Sequence, residues 1–311
     1  MKKSSNYLFT AGPLLIVTAS VLWALDGVVR RSLFSLPPIT IVFYEHLIGA
    51  LILSPFVVKA LQKETITKRD FGLLTIISLF SGVLATLWFT TALVKVNFIS
   101  FSIVFLILYL EPIFTTVSAH FLLKERITKD FLKWAALALG AAYFATFKFG
   151  VINLSTGTGT LEAALFALGA TAAWGISTTF SKMVLQKKSD VLATGLRFLM
   201  TTVIALGAVF LVGQQESLTQ PTSSQMVRLV LIALSTGMVA LYLYYKGLQQ
   251  TEAKITTMLE LVFPLLAVFI DAILYKTLLH PTQYLAAAVM VWAIMQIAKL
   301  NKNKTEAVGK A

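Results

Sequence analysis

The chain contains no cysteine and only three histidines among 311 residues. That excludes disulfides, thiolate metal sites and thiol catalysis. The histidines (His46, His120, His280) lie far apart, without the His-Glu-x-x-His spacing of a metal site, so no metal and no cofactor is expected. Charge is also scarce: 13% of residues are charged, about half the share of an ordinary globular domain. Acidic residues number 14 against 26 basic ones. There is no glycine-rich phosphate loop, which argues against direct coupling to a nucleotide. A Ser-His pair, an aspartate pair or a metal cluster at catalytic spacing is missing too, so the chain is not read as an enzyme.

What is abundant is apolar surface, at 57% of residues. A water-soluble fold of this length could not hide so much, whereas a bilayer removes the need to. Runs of about 20 apolar residues span the hydrocarbon core as helices. They occur near 11–33, 39–60, 71–94, 97–123, 131–148, 161–182, 191–213, 227–248, 255–275 and 280–299. The expected fold class is all-α: a polytopic membrane protein of ten helices around a central cavity. The first run is expected to be retained rather than cleaved as a signal peptide. Residues 300–311 read as a disordered tail.

The basic residues fix an orientation. With ten spans, 19 Lys and Arg fall on the side of the termini and 6 on the other, Arg30 and Arg31 among the 6; Arg197 alone falls inside a span. The positive-inside rule then places both termini in the cytoplasm of a plasma or inner membrane. The net charge of +12 is explained by topology, and no nucleic-acid partner is expected.

The chain also repeats itself. Trp23-Ala24 returns as Trp174-Gly175 and His46-Leu47 as Arg197-Phe198, each 151 positions on. Gly82 and Ala92-Leu93 match Gly237 and Gly247-Leu248 at 155, and Pro112 and Lys124 match Pro264 and Lys276 at 152. Two units, 11–148 and 161–299, of five spans each must enter the bilayer from opposite faces. This inverted repeat is an architecture of secondary transporters. Small residues four apart (Ser78/Gly82, Ala233/Gly237, Ala136/Gly140) are read as helix-packing positions.

Ionisable groups within spans are costly in hydrocarbon and become site candidates. Glu45 and His46 are adjacent, about 100° apart on a helix, so one is expected to line the cavity while the other meets a neighbour. Arg197 is expected either to bind a substrate carboxylate or to neutralise Glu45. Glu111 precedes Pro112, whose ring should kink the helix; Pro264 repeats this, and the two prolines are candidate hinges. Glu260 is a weaker candidate, and Asp26 is expected to pair with Arg30 four residues on. Trp23 and Trp174, at equivalent places, are expected to form aromatic walls.

Tyr109-Leu-Glu-Pro112 followed by Phe121-Leu-Leu-Lys-Glu-Arg-Ile-Thr128 is similar to the helix-4 signature of the EamA family in the drug/metabolite transporter superfamily. Trp23-Ala24, Trp174-Gly175 and Arg197-Phe198 fit the same pattern. The resemblance covers about residues 12–299 and implies a ten-helix carrier, often a metabolite exporter. It departs at Glu45-His46, where family members often carry arginine, and at Thr277-Leu278, which stands where the first half has Glu125-Arg126. The expected function is secondary transport by alternating access of a small metabolite, an exported amino acid or related compound. An importer or lipid flippase is the alternative. A proton gradient is a candidate energy source, lipids are the surroundings, and the working unit is a monomer or homodimer.

Overall fold

A computed structural model describes residues 11–95, 104, 107–147, 149, 151, 160–274, 276 and 279–308. These residues form helices with no strand among them. In chain order they are α1 Ala11–Arg31, α2 Pro38–Leu61, α3 Lys68–Lys95, α4 Glu111–Leu122, α5 Lys129–Thr146, α6 Thr160–Leu185, α7 Asp190–Leu211, α8 Ser223–Gln250, α9 Ala253–Leu274 and α10 Pro281–Val308. Eight of them are long and apolar enough to cross a membrane. The other two are α4, whose expected span begins outside the described residues, and α5, whose first turns carry Lys129, Asp130 and Lys133. The protein is thus a helical, multi-pass membrane protein. Helix α10 continues to Val308, so most of the segment expected to be a disordered tail is helical.

Local chemistry sets the helix starts. Thr67 and Asp70 form a reciprocal capping box at α3, and Thr222 and Gln225 form one at α8, 155 positions later. Each satisfies two backbone N–H groups that a helix start otherwise leaves without partners. Ser189 caps α7 and Thr128 caps α5. Both α3 and α8 loosen midway into a π-helical stretch, at Ser78–Ala85 and Ala233–Gly237. Lys124 and Lys276, 152 apart, both sit in left-handed backbone, at φ 58° and 53°. A Cβ costs energy in that region, so Lys124→Gly is expected to be neutral or stabilising by up to about 1 kcal/mol, and Lys124→Val destabilising. Thermal melting of the purified variants in detergent reads this; a clear loss with glycine would contradict it.

The packing obeys the same exchange of halves. Helix α5 lies along α10, and α2 along α7. Helix α1 packs on α8 as α6 packs on α3, and α1 packs on α9 as α6 packs on α4. Swapping the halves maps this set onto itself, which is the pairing an inverted repeat requires. Of the three small-residue pairs, two serve close approach. A Cβ on Gly82 would lie 2.3 Å from Thr201 Oγ1, and one on Gly237 would lie 2.9 Å from Glu45 Oε1. Gly140 has nothing within 4 Å.

The kinks are breaks. Helix α4 starts after a turn at Tyr109-Leu110, with Pro112 as its second residue. Helix α9 is interrupted at Leu261, three residues before Pro264. Proline is well tolerated near a helix start because its missing N–H has no partner there to lose. The two breaks place Glu111 and Glu260 beside one another's helices at the core of the bundle.

Candidate functional site

One cavity of about 1380 Å³, its mouth included, lies between the halves. It is lined by Trp23, Glu45, His46, Glu111, Trp174 and Arg197, so all six binding candidates named from the sequence meet there. Asp26, Arg30, Ser81, Phe89, Tyr244 and Glu260 line it as well. Glu45 and His46 both border it, rather than one alone. Glu45 reaches α1, while the His46 ring stacks on Phe198 of α7, at 4.9 Å between centroids, and its Nδ1 bonds the Val42 carbonyl at 2.8 Å.

The expected pair of Asp26 with Arg30 is present, but the ion pairing goes beyond it. Arg30 is not a loop residue. It is 5% exposed and joins two carboxylates: Asp26 at 2.5 Å through Nε and Glu45 at 2.9 Å through Nη2. Arg197 is therefore not the sole arginine within an expected or observed span, and the direct ion pair of Glu45 is with Arg30 rather than with Arg197. Its Nη1 donates to the Tyr245 hydroxyl at 2.9 Å and its Nη2 to Ser81 Oγ at 2.7 Å. Among the described residues no carboxylate pairs with it. Counting Lys and Arg could not separate Arg30 from Arg31, since a span end uncertain by two residues decides the matter.

The site carries the repeat in its details. Counted from the helix starts, Glu45 is the eighth residue of α2 and Arg197 the eighth of α7, so Arg197 corresponds to Glu45, 152 positions earlier, and not to His46 as the sequence repeat suggested. Thr236 donates to Asp26 at 2.5 Å, and Ser81, 155 positions earlier, accepts from Arg197. Both hydroxyls belong to the π-helical stretches. A wider turn leaves backbone carbonyls free for side chains, and such bulges recur at functional sites. The Ser81 carbonyl takes the indole N–H of Trp174 at 3.3 Å. The aromatic walls are likewise paired: Trp23 with Tyr244 at 5.2 Å, and Trp174 with Phe89 at 5.3 Å. Phe89 and Tyr244 are again 155 apart. Phe89 follows Trp88 in an apolar run, and sequence alone does not decide which of the two rings meets Trp174.

Glu260 accepts from the Tyr244 hydroxyl at 2.6 Å, which also bonds Thr178 at 3.0 Å. Glu111 lines the same part of the cavity. Among the described residues neither carboxylate has a cation within ion-pair reach.

The cavity reaches Val28, Leu93 and Ile270, at the helix ends away from both termini. The opposite end is closed. Glu125 of the helix-4 signature is buried and accepts from the backbone N–H groups of Ala253 at 2.7 Å and Lys254 at 3.2 Å. Lys254 pairs with both Glu125 and Glu252. Lys182 donates to the carbonyls of Leu248, Gln249 and Thr251 at 2.6–3.0 Å. Glu125 therefore does more than shape a loop: it holds the start of α9 against the end of α4.

Comparison with known proteins agrees with this architecture. The EamA-like transporter family matches twice, over residues 10–147 and 161–298. The riboflavin transporter ImpX of Fusobacterium nucleatum subsp. nucleatum is 35% identical over 293 residues, covering 93% of this chain and 98% of that one. An uncharacterized transporter of Methanothermobacter thermautotrophicus is 27% identical over 205 residues, 60% of this chain and 57% of that one. A crystal structure of a protein 16% identical in sequence superposes with a TM-score of 0.70 over 94% of this chain and 98% of that one, which shows the shared fold. With two matched repeats covering most of its length, the chain belongs to the EamA-like transporter family and is a multi-pass membrane transporter of a small metabolite.

Proposed function

We propose that the protein carries riboflavin, or a flavin much like it, across the cell membrane. The observation that carries this is the pair of aromatic walls, Trp23 with Tyr244 and Trp174 with Phe89, related by the repeat and bordering one cavity. Planar rings bind well against such faces. The name of the Fusobacterium relative points to the same cargo. An aliphatic amino acid, within the class of cargo expected from sequence, would leave the walls without a ring to face.

The mechanism is alternating access, with the halves rocking about the breaks at Pro112 and Pro264. The distribution of Lys and Arg supports termini in the cytoplasm, which makes the present state open outward. The pathway lies within one chain, so the monomer is the working unit. Energy comes from protons taken up at Glu111 and Glu260. Two carboxylates bordering one confined space without a cation repel each other when both are ionised, and a bound proton relieves that.

Proteoliposomes loaded or bathed with riboflavin, with and without a pH gradient, test the whole reading and report direction. Flux is expected in wild-type vesicles, rising with the gradient. Glu111→Gln is expected to abolish the gradient response while exchange of riboflavin for riboflavin continues. Failure of folded wild-type protein to move any flavin would remove the substrate assignment. A gradient response intact in Glu111→Gln would remove the proton site.

A further inference from the structure

The ion pairs and the aromatic walls leave one cavity-lining group without a task, the outer nitrogen of His46. The residue is 5% exposed and borders the cavity from α2. Its Nδ1 lies 2.8 Å from the Val42 carbonyl oxygen, one helical turn back. A carbonyl oxygen only accepts, so Nδ1 carries the proton and the neutral ring keeps a lone pair on Nε2. Turning the ring over would give up that bond. A contact with Phe198, 4.9 Å between centroids and 34° between planes, holds the ring further. Among the described residues Nε2 has no hydrogen-bond partner, and it is not one of the unpaired atoms sealed inside the protein. Donors are plentiful around it. Arg30 and Arg197 border the same cavity, and both are near enough to act electrostatically on the imidazole. Arg30 Nη1 and Arg197 Nε are buried without a partner. Buried donors left unpaired are costly, so acceptors on a ligand suit this wall as well as a donor aimed at Nε2.

We infer that His46 is a specificity residue: its Nε2 accepts a hydrogen bond from a ring N–H of the cargo, and the cavity selects planar rings on which that N–H lies between acceptors. This rests on the flavin reading and names the polar edge of the ring that is read. Riboflavin has one ring N–H, and it lies between two carbonyl groups. Aromatic walls bind the faces of a ring and leave its edges undistinguished. The bond to Nε2 decides which edge turns toward α2. A methyl group on that ring nitrogen removes the donor and strands the acceptor, while the rest of the ring system and the polyol arm stay as they were. A site built to bond an N–H rejects the analogue lacking it far more strongly than an apolar wall rejects an added methyl.

The test is equilibrium binding of riboflavin and 3-methylriboflavin to the purified full-length protein in detergent, followed by quenching of flavin fluorescence. Wild type is expected to bind riboflavin at least about tenfold more tightly than the methylated analogue, as an acceptor left unpaired in a buried site implies. His46→Phe keeps a ring against Phe198 and removes the acceptor. It is expected to weaken riboflavin and to bring the two affinities within about twofold of each other. His46→Met, flexible enough to fill the same space, gives the same reading if the phenylalanine variant loses its melting transition. A merely structural histidine would weaken both flavins alike and leave their ratio unchanged. Wild type binding the methylated flavin as tightly as riboflavin overturns the role of His46 while the flavin reading stands. A preference that persists in folded His46→Phe or His46→Met also overturns it, because bulk rather than the lost N–H then excludes the methyl group. Absence of binding by either flavin to wild-type protein with an intact melting transition overturns both readings.

Discussion

Arg30→Met is expected to abolish transport and to cost about 3–5 kcal/mol of stability, the largest loss from any single change in the cavity wall. The arginine holds two carboxylates, and the three side chains are between 6% and 13% exposed. Removing it leaves Asp26 and Glu45 facing each other with no cation between them. Glu45→Gln is a milder change, because Arg30 keeps both bonds to Asp26 and loses one charge-assisted contact, about 1–3 kcal/mol. The double variant Arg30→Met with Glu45→Gln is expected to be more stable than Arg30→Met alone, since it removes one of the stranded charges. Melting of the four proteins in the same detergent gives the cycle. A wild-type melting point for Arg30→Met, or a double variant worse than either single, would contradict the account.

Glu125→Ala is expected to open the closed end. Glu125 accepts two backbone N–H bonds at the start of α9 and pairs with Lys254, which is 4% exposed. Alanine frees both donors and leaves Lys254 with Glu252 as its remaining carboxylate partner. The closed arrangement loses these contacts, whereas a conformation open at this end has water to satisfy the same groups, so the population moves toward it. The native absence of cysteine makes this measurable. A cysteine placed at Ser181, which lines the cavity, is the sole thiol in the chain. Its labelling by a membrane-impermeant maleimide from the side of the termini is expected to rise at least about tenfold in Glu125→Ala, as a shift of about 1.4 kcal/mol implies. Unchanged labelling with retained folding would mean that Lys182 and its three carbonyl contacts suffice for closure.

The sequence displays its helices because hydrocarbon demands long apolar runs, and it displays the repeat because Trp23/Trp174 and Pro112/Pro264 keep their order. Glu45, Glu111 and Arg197 stand out for the same reason that they converge: charge at membrane depth must find a cavity or a partner. Partner choice was not legible. Arg30 lies so near a helix end that its count on either side depends on geometry, and Tyr245 gives Arg197 a neutral acceptor that spacing cannot reveal. The π-helical stretches were hidden as well. Ser81 and Thr236 read as ordinary small polar residues in apolar runs. Glu125 looked like part of a loop, because the backbone donors that it serves lie 128 positions away.

The opposite charges of Glu45 and Arg197 bear on how such a protein can arise. They occupy the same place in the two halves, each the eighth residue of its helix. Two identical copies of one half, assembled about a two-fold axis, would repeat whichever residue they carried, giving paired glutamates or paired arginines. Neither pairing puts a carboxylate on one half and a guanidinium on the other in the wall of one cavity. Such a wall requires that the two copies be free to diverge, and joining them in one chain permits that. A scaffold that is symmetric in its helices can then be asymmetric in its charge.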